Sequence, residues 1–263
     1  MLLGLTRDSR LKGWWLMDSP SGILSICALY LVVVLKLGPD WMRDRKPLNI
    51  KFLVRGFNLL QVISNSYFVI YGAYLAYGRV GFRLICEPSH MRTDQESLRL
   101  LSLYYFYFLI RLSDFVDTLF FVLAKKQGHV SFLHVYHHLC VVLNGWIGLR
   151  SGWINGVLFG IFMNASIHII MYSYFMLATF PKMRPYLWWK KYLTSAQIIQ
   201  FLVFCYFATV VVKNKHDCGY PQAMIYSGIA NVILLLLLFS KFYLDTYIRN
   251  KRSIRPTVDK HVD

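Results

Sequence analysis

Seven long apolar runs organise this chain, at approximately 21–38, 53–77, 98–124, 130–149, 152–179, 186–212 and 221–248. A helix rising 1.5 Å per residue needs roughly 20 residues to cross the hydrocarbon of a bilayer, and the runs are close to that length. The fourth is the shortest and follows a tight loop, which predicts a tilted or incomplete span. No internal repeat, low-complexity tract or separate soluble stretch interrupts the pattern. The expected architecture is an all-α membrane protein with seven transmembrane helices. Residues 1–252 form a single polytopic membrane domain in this reading, and 253–263 a solvated cytosolic tail.

Composition agrees. The chain is 56% hydrophobic and only 16% charged, against roughly 25% charged in an ordinary soluble domain. Its net charge of +16 would suit nucleic acid, but the lysines and arginines sit in short clusters between the apolar runs, the pattern of membrane loops, so nucleic acid is not an expected partner. One set of loops, which includes Arg43 to Lys51, Lys125 and Lys126, Lys182 to Lys191 and the C-terminal segment, carries 15 lysines and arginines, and the opposite set carries 9. The first set is therefore expected in the cytosol, with the N-terminus lumenal and the C-terminus cytosolic. Charges throughout Met1 to Asp18 leave no apolar core for a cleavable signal. Cys86 and Cys218 then share the lumenal side, where a disulfide could form. The five cysteines show no metal-ligand spacing.

Against this background the segment Phe132-Leu-His-Val-Tyr-His-His138 is conspicuous. His134, His137 and His138 stand at i, i+3 and i+4, so one helix face is expected to carry all three. Imidazoles concentrated inside a membrane are costly and usually functional. Other spans add Arg111, Asp114, Asp117 and Thr118; Asn164, His168, Met171, Tyr172 and Tyr174; and Thr194, Gln197 and Gln200. Measured from the cytosolic span ends, the aspartates lie about 10–15 Å deep, the histidine box about 6–12 Å, and His168 and Gln197 about 17 Å. Groups from different helices at a common depth predict one polar chamber open to the cytosol. Lys125, Lys126, Lys190 and Lys191 ring its mouth, beside Trp188 and Trp189, and would suit an anionic, phosphate-bearing substrate.

The ordered motifs His134-Val-Tyr-His137-His138, Arg111-Leu-Ser-Asp114-Phe-Val-Asp117-Thr118, Asn164-Ala-Ser-Ile-His168-Ile-Ile-Met171-Tyr172-Ser-Tyr174 and Tyr192-Leu-Thr194-Ser-Ala-Gln197-Ile-Ile-Gln200-Phe201, together with Leu187-Trp-Trp-Lys-Lys191, span most of residues 20–250. In this combination the chain resembles the fatty acid elongases of the endoplasmic reticulum, of animal type. It departs from them at Arg111, usually Lys, at Asp114, usually Glu, and in lacking a proline after the box. The resemblance implies a seven-helix fold, six of its helices forming a barrel around a narrow acyl tunnel. It implies condensation of a long-chain acyl-CoA with malonyl-CoA to a 3-oxoacyl-CoA two carbons longer, with release of CoA and CO2. No tightly bound cofactor is expected, since the CoA thioesters are substrates. The implied partners are the bilayer, acyl-CoA and malonyl-CoA, and the reductases and dehydratase of the elongation cycle, and a homodimer is left open.

A neutral imidazole is a competent nucleophile, so a ping-pong route through an acyl-histidine is expected. His137 attacks, His134 or His138 orients it or moves a proton, Asp117 holds a histidine tautomer, and His168 and Asn164 stabilise developing oxygen charge. Asp114, Tyr172, Gln197 and Gln200 are expected to contact substrate, as are the four mouth lysines. Cys140, at i+3 from His137, could share its face but ranks below it as a nucleophile. Two other readings stay open. A di-iron desaturase or hydroxylase would use histidine boxes as iron ligands, although His90, His216 and His261 lie out of reach and no metal set is expected. A seven-helix transporter or receptor would bind without chemistry.

Overall fold

The computed structural model describes residues 7–84, 87, 91–213 and 220–249. The expected disulfide between Cys86 and Cys218 and the expected tail 253–263 lie outside the described residues. The described residues are mostly helical: α1 (Pro20–Met42), α2 (Lys51–Arg79), α3 (Gln95–Ser113), α4 (Phe115–Leu123), α5 (Phe132–Arg150), α6 (Leu158–Ala178), α7 (Lys190–Lys213) and α8 (Gln222–Tyr243), the last running on through Leu244–Arg249. Local chemistry fixes several starts. Ser19 accepts from Ser21 N–H with Pro20 in the first turn, Asp94 accepts from Ser97 N–H, and Ser131 accepts from His134 N–H.

Among the described residues five helices are long and apolar enough to cross a membrane: Pro20–Met42, Lys51–Arg79, Ile154–Ala178, Lys190–Lys213 and Gln222–Arg249. The run read as 98–124 is not one continuous helix. Asp114 N–H bonds the carbonyl of Arg111 at 3.3 Å, one residue short of α-helical spacing, and the axis restarts as α4. That tight turn places the Arg111 and Asp114 side chains together, 3.2 Å apart.

Packing runs from neighbour to neighbour. α2 lies along α6, α7 packs on α6 and α8, α3 on α2 and α5, and α8 returns to α5. α1 touches α4 and α5 from outside this series. The segment before α1 folds back onto the far end of α5. There Trp146 and Arg150 donate to the carbonyls of Leu16 and Met17, and Asp8 N–H to that of Arg150. Leu11 and Met17 are fully buried beneath it.

The α2–α6 seam is close because Gly72 leaves room for Phe162. A Cβ at Gly72 would stand 2.7 Å from the Phe162 ring and 3.1 Å from Leu103. Gly72→Leu is therefore expected to overpack the seam and cost about 1–3 kcal/mol, read as a lower melting temperature in detergent. Gly56→Ala, with nothing within 4 Å of the added carbon, is the matched control and should melt with the parent.

Candidate active site

The box occupies the first turns of α5, capped by Ser131, and its three histidines do not point one way. His134 and His138, one full turn apart, pack with ring centres 4.3 Å apart. His134 Nε2 meets the Thr118 hydroxyl at 2.9 Å, which in turn meets the Tyr30 hydroxyl at 2.9 Å. His137 sits 5.6 Å from His138, edge-on, and turns toward Phe239 of α8. The reason is angular: i and i+4 differ by about 40° around a helix, whereas i+3 diverges from i+4 by about 100°. Among the described residues neither His137 nor His138 carries a side-chain hydrogen bond, whereas His134 does.

His168 of α6 is buried and lies near His137 and His138. Arg111 Nη1 contacts both of its ring nitrogens, Nδ1 more closely and Nε2 at 3.2 Å. Arg111 also donates from Nη2 to Asn65 Oδ1 at 2.9 Å, pairs with Asp114, and lies 5.0 Å over the Tyr107 ring, while its Nε has no partner. Tyr107 donates to Asn164 Oδ1 at 3.1 Å. One turn toward the Lys125 end, the Tyr172 hydroxyl stands 2.6 Å from Asp117 and 2.9 Å from Asp114. Asp114, Asn164, His168 and Tyr172 thus form one ladder between α3 and α6, with Asp117 at its α4 end. Asp117 is hydrogen-bonded to Tyr172, and no bond from it to a box histidine occurs among the described residues. Among the described residues the box rings meet Thr118, the other imidazoles and the rings of Phe121 and Phe239.

α2 supplies a contribution the sequence analysis missed. Asn58, Gln61 and Asn65, at i, i+3 and i+7, are all buried, at 2%, 2% and 0% exposure. Gln61 donates to Asp114 at 2.9 Å, and Asn65 donates to the Gln61 carbonyl at 2.7 Å. A single membrane amide reads as an ordinary interhelical bond. The available signal was three of them on one face.

The remaining expected residues are spread more widely. Gln197 approaches the Met171 sulfur at 3.7 Å, and Gln200 is buried. Cys140 lies off the box face, its thiol donating to Asn231 of α8 beside the Tyr136 hydroxyl. Just beyond the C-terminal end of α4 stands His129. Partial desolvation, followed by the charges of Lys126 and Lys190, holds the His129 imidazole below its usual range. His129 stacks on Phe121, which abuts His134. Lys125 instead donates to the Arg43 carbonyl at 2.9 Å, and the Lys191 ammonium lies 4.7 Å from the Tyr192 ring.

Comparison with known proteins gives a consistent result. The model of the ELO: GNS1/SUR4 family matches residues 15–255. "Very long chain fatty acid elongase 4" of Homo sapiens is 38% identical over 248 residues, covering 93% of this chain and 77% of that protein. "Very long chain fatty acid elongase 5" of Tachysurus fulvidraco is 33% identical over 241 residues, 92% of this chain and 80% of that protein. "Very long chain fatty acid elongase 2" of Rattus norvegicus is 36% identical over 244 residues, 92% and 85% respectively.

Proposed function

Since the chain belongs to the ELO family, it is a multi-pass membrane enzyme that carries out the condensing step of fatty acid elongation, and we propose that it does so by a ping-pong route through an acyl-histidine at His137. The family assignment displaces the desaturase and transporter readings. His137 and His138 both keep uncommitted ring nitrogens, whereas hydrogen bonds engage His134 and His168; support for His137 over His138 comes from its ring standing apart from the packed His134–His138 pair and turning toward α8.

A ring nitrogen of His137 attacks the thioester carbon of a long-chain acyl-CoA. The C–S bond breaks, and the proton released by the ring leaves with CoA as its thiol. Malonyl-CoA then enters and its carboxylate departs as CO2, leaving the bonding pair in an enolate. The enolate carbon attacks the acyl carbon, the C–N bond breaks, and a solvent proton restores the imidazole. His134 and His138 move the proton, and His168 and Asn164 face the developing oxygen charge. Asp117, through Tyr172 and Asp114, acts on the ladder rather than directly on a box ring.

In this reading the helices cross the bilayer seven times. The order α5–α3–α2–α6–α7–α8, closing on α5, supports a six-helix barrel around an acyl tunnel, with α1 outside. The domain is 1–252, the tail 253–263 is cytosolic, and the N-terminus is lumenal in the endoplasmic reticulum. Lys126 and Lys190, whose charges act on His129, suit the phosphates of coenzyme A. Lys125, Lys191, Gln197 and Gln200 would complete the path inward. The cycle's reductases and dehydratase are the partners that consume its product, and a second copy of the chain is compatible with the exposed outer faces.

The test is product analysis. Purified protein given labelled malonyl-CoA and a panel of acyl-CoAs should release CO2 and form labelled 3-oxoacyl-CoA two carbons longer. Unchanged acyl-CoA across the whole panel would overturn the reading.

A further inference from the structure

We propose that the Tyr220 ring closes the far end of the acyl path, remote from the mouth lysines, and thereby sets the longest acyl chain the enzyme extends. The inference rests on the reading of a six-helix barrel around an acyl tunnel, and supplies the floor of that tunnel.

Aromatic rings mark a wall that leads away from His137 toward that end. The Phe239 ring centre lies 6.0 Å from His137, Phe201 lies 5.1 Å from Phe239, and Phe204 lies 6.2 Å from Phe201. Phe204 of α7 is seated over Gly160 of α6, where an added Cβ would stand 3.0 Å from its ring. One turn further along α7, Phe207 meets Phe159 of α6 with ring centres 4.9 Å apart. Tyr220 takes the last seat, over Gly156 in the turn that leads into α6, where an added Cβ would collide with its ring. Both glycines serve by leaving room that any side chain would fill. From His168, near the box, to Gly156 is about 18 Å at a rise of 1.5 Å per residue.

A floor must also be held in place, and Tyr220 is held from three sides. Its ring sits on Gly156 and meets the edge of Trp153, with centres 5.5 Å apart and planes at 83°. Its hydroxyl donates to the Glu87 carbonyl. Glu87 is itself buried, and its carboxylate accepts from Arg83 N–H at 2.8 Å, which fixes the acceptor. Tyr220 directly precedes Pro221, the cap of α8, whereas Glu87 belongs to the connection between α2 and α3. In the order α5–α3–α2–α6–α7–α8, α8 stands opposite α2. A side chain that starts beside α8, lies over the foot of α6 and ends at the α2–α3 connection therefore spans the end of the ring of helices. An apolar site rejects a chain one methylene too long by about 10–200-fold. Elongation adds carbons in pairs, so a fixed floor becomes a cut-off in chain length.

Chain-length panels test this on the purified full chain. Saturated acyl-CoAs of increasing length are supplied with labelled malonyl-CoA, and kcat/KM is measured for each. The parent should show a sharp upper cut-off. Tyr220→Ala should move that cut-off up by at least one two-carbon cycle. The ratio of kcat/KM for the first rejected chain to that for the last accepted one should rise about tenfold or more. Tyr220→Leu, a milder truncation, should shift the cut-off in the same direction, and it carries the test if Tyr220→Ala does not fold. Tyr220→Phe keeps the ring and should keep the cut-off. A folded Tyr220→Ala or Tyr220→Leu protein with the parental cut-off would overturn the proposal. So would a uniform loss at every length, the mark of a purely structural role, or a Tyr220→Phe protein that shifts as Tyr220→Ala does. A parent that condenses acyl-CoA with malonyl-CoA but shows no cut-off would overturn it as well. Should the parent condense no acyl-CoA at all, the functional reading fails instead, and the two failures are distinguishable.

Discussion

Replacement of His137 by alanine should lower condensation by about 10⁴-fold or more, the scale seen when a covalent nucleophile is removed. The measurement that identifies the step is intact mass. Parent protein incubated with acyl-CoA alone should gain one acyl group, and His137→Ala should gain none. The lesion falls on chemistry, so binding of acyl-CoA should persist with a similar Kd. His134→Ala should retain some adduct, because that ring's Nε2 is occupied by Thr118 in the chain that ends at Tyr30. Cys140→Ser should form the adduct as the parent does, because the thiol is turned to Asn231 and away from the box face. An adduct that survives His137→Ala but vanishes in Cys140→Ser would move the acyl group to sulfur and end the histidine mechanism.

Asp114→Leu should be the most destabilising single change in the ladder. Arg111 and Asp114 are each nearly inaccessible, with side chains 3% and 4% exposed and 3.2 Å apart. Removing one partner of a buried pair leaves an uncompensated charge and costs roughly 3–5 kcal/mol. Gln61 and Tyr172, which donate to Asp114 at 2.9 Å, lose an acceptor as well. Thermal unfolding in detergent should show a large drop for Asp114→Leu. Most of that drop should be recovered when Arg111→Met is added, since an apolar pair of similar volume avoids desolvation altogether. If the double variant is no more stable than the single one, the destabilisation does not arise from the stranded guanidinium.

The two predictions separate what each set of residues contributes. His137 is predicted to matter for turnover and little for stability, because no hydrogen bond ties it to its surroundings. Asp114 is predicted to matter for both, because it is the buried counter-ion of Arg111 and accepts from Gln61 and Tyr172.

Much of this was legible in the chain itself. Apolar runs near bilayer length force helices, since no other structure satisfies the backbone in hydrocarbon except a closed barrel. The starts at Ser19, Asp94 and Ser131 follow from capping chemistry that acts over three residues. The concentration of imidazoles at 134, 137 and 138, joined by His168, Asp114 and Asp117, marked the site because ionisable groups in lipid need a reason to be there. What sequence could not supply was direction. The spacing i, i+3, i+4 suggested one shared face; helix rotation of about 100° per residue already parts His137 from His138, and the packing of α5 decides which partners each ring then meets. The break at Asp114 was likewise hidden inside an unbroken apolar run, since a tight turn costs no hydrophobicity.

Partner choice also had to wait for the fold. Asp117 could have held a histidine, and Asn65 could have been one more interhelical bond. The turn between α3 and α4 sends Asp117 to Tyr172, and the close α2 packing brings Asn65 and Gln61 to Arg111. Sequence therefore determined the solvent, the helices and the kinds of chemical group available, because those depend on composition and on neighbours along the chain. Tertiary structure alone decided which partners each imidazole meets, because that depends on contacts between residues such as Asn65, Arg111 and His168, which come from three different helices.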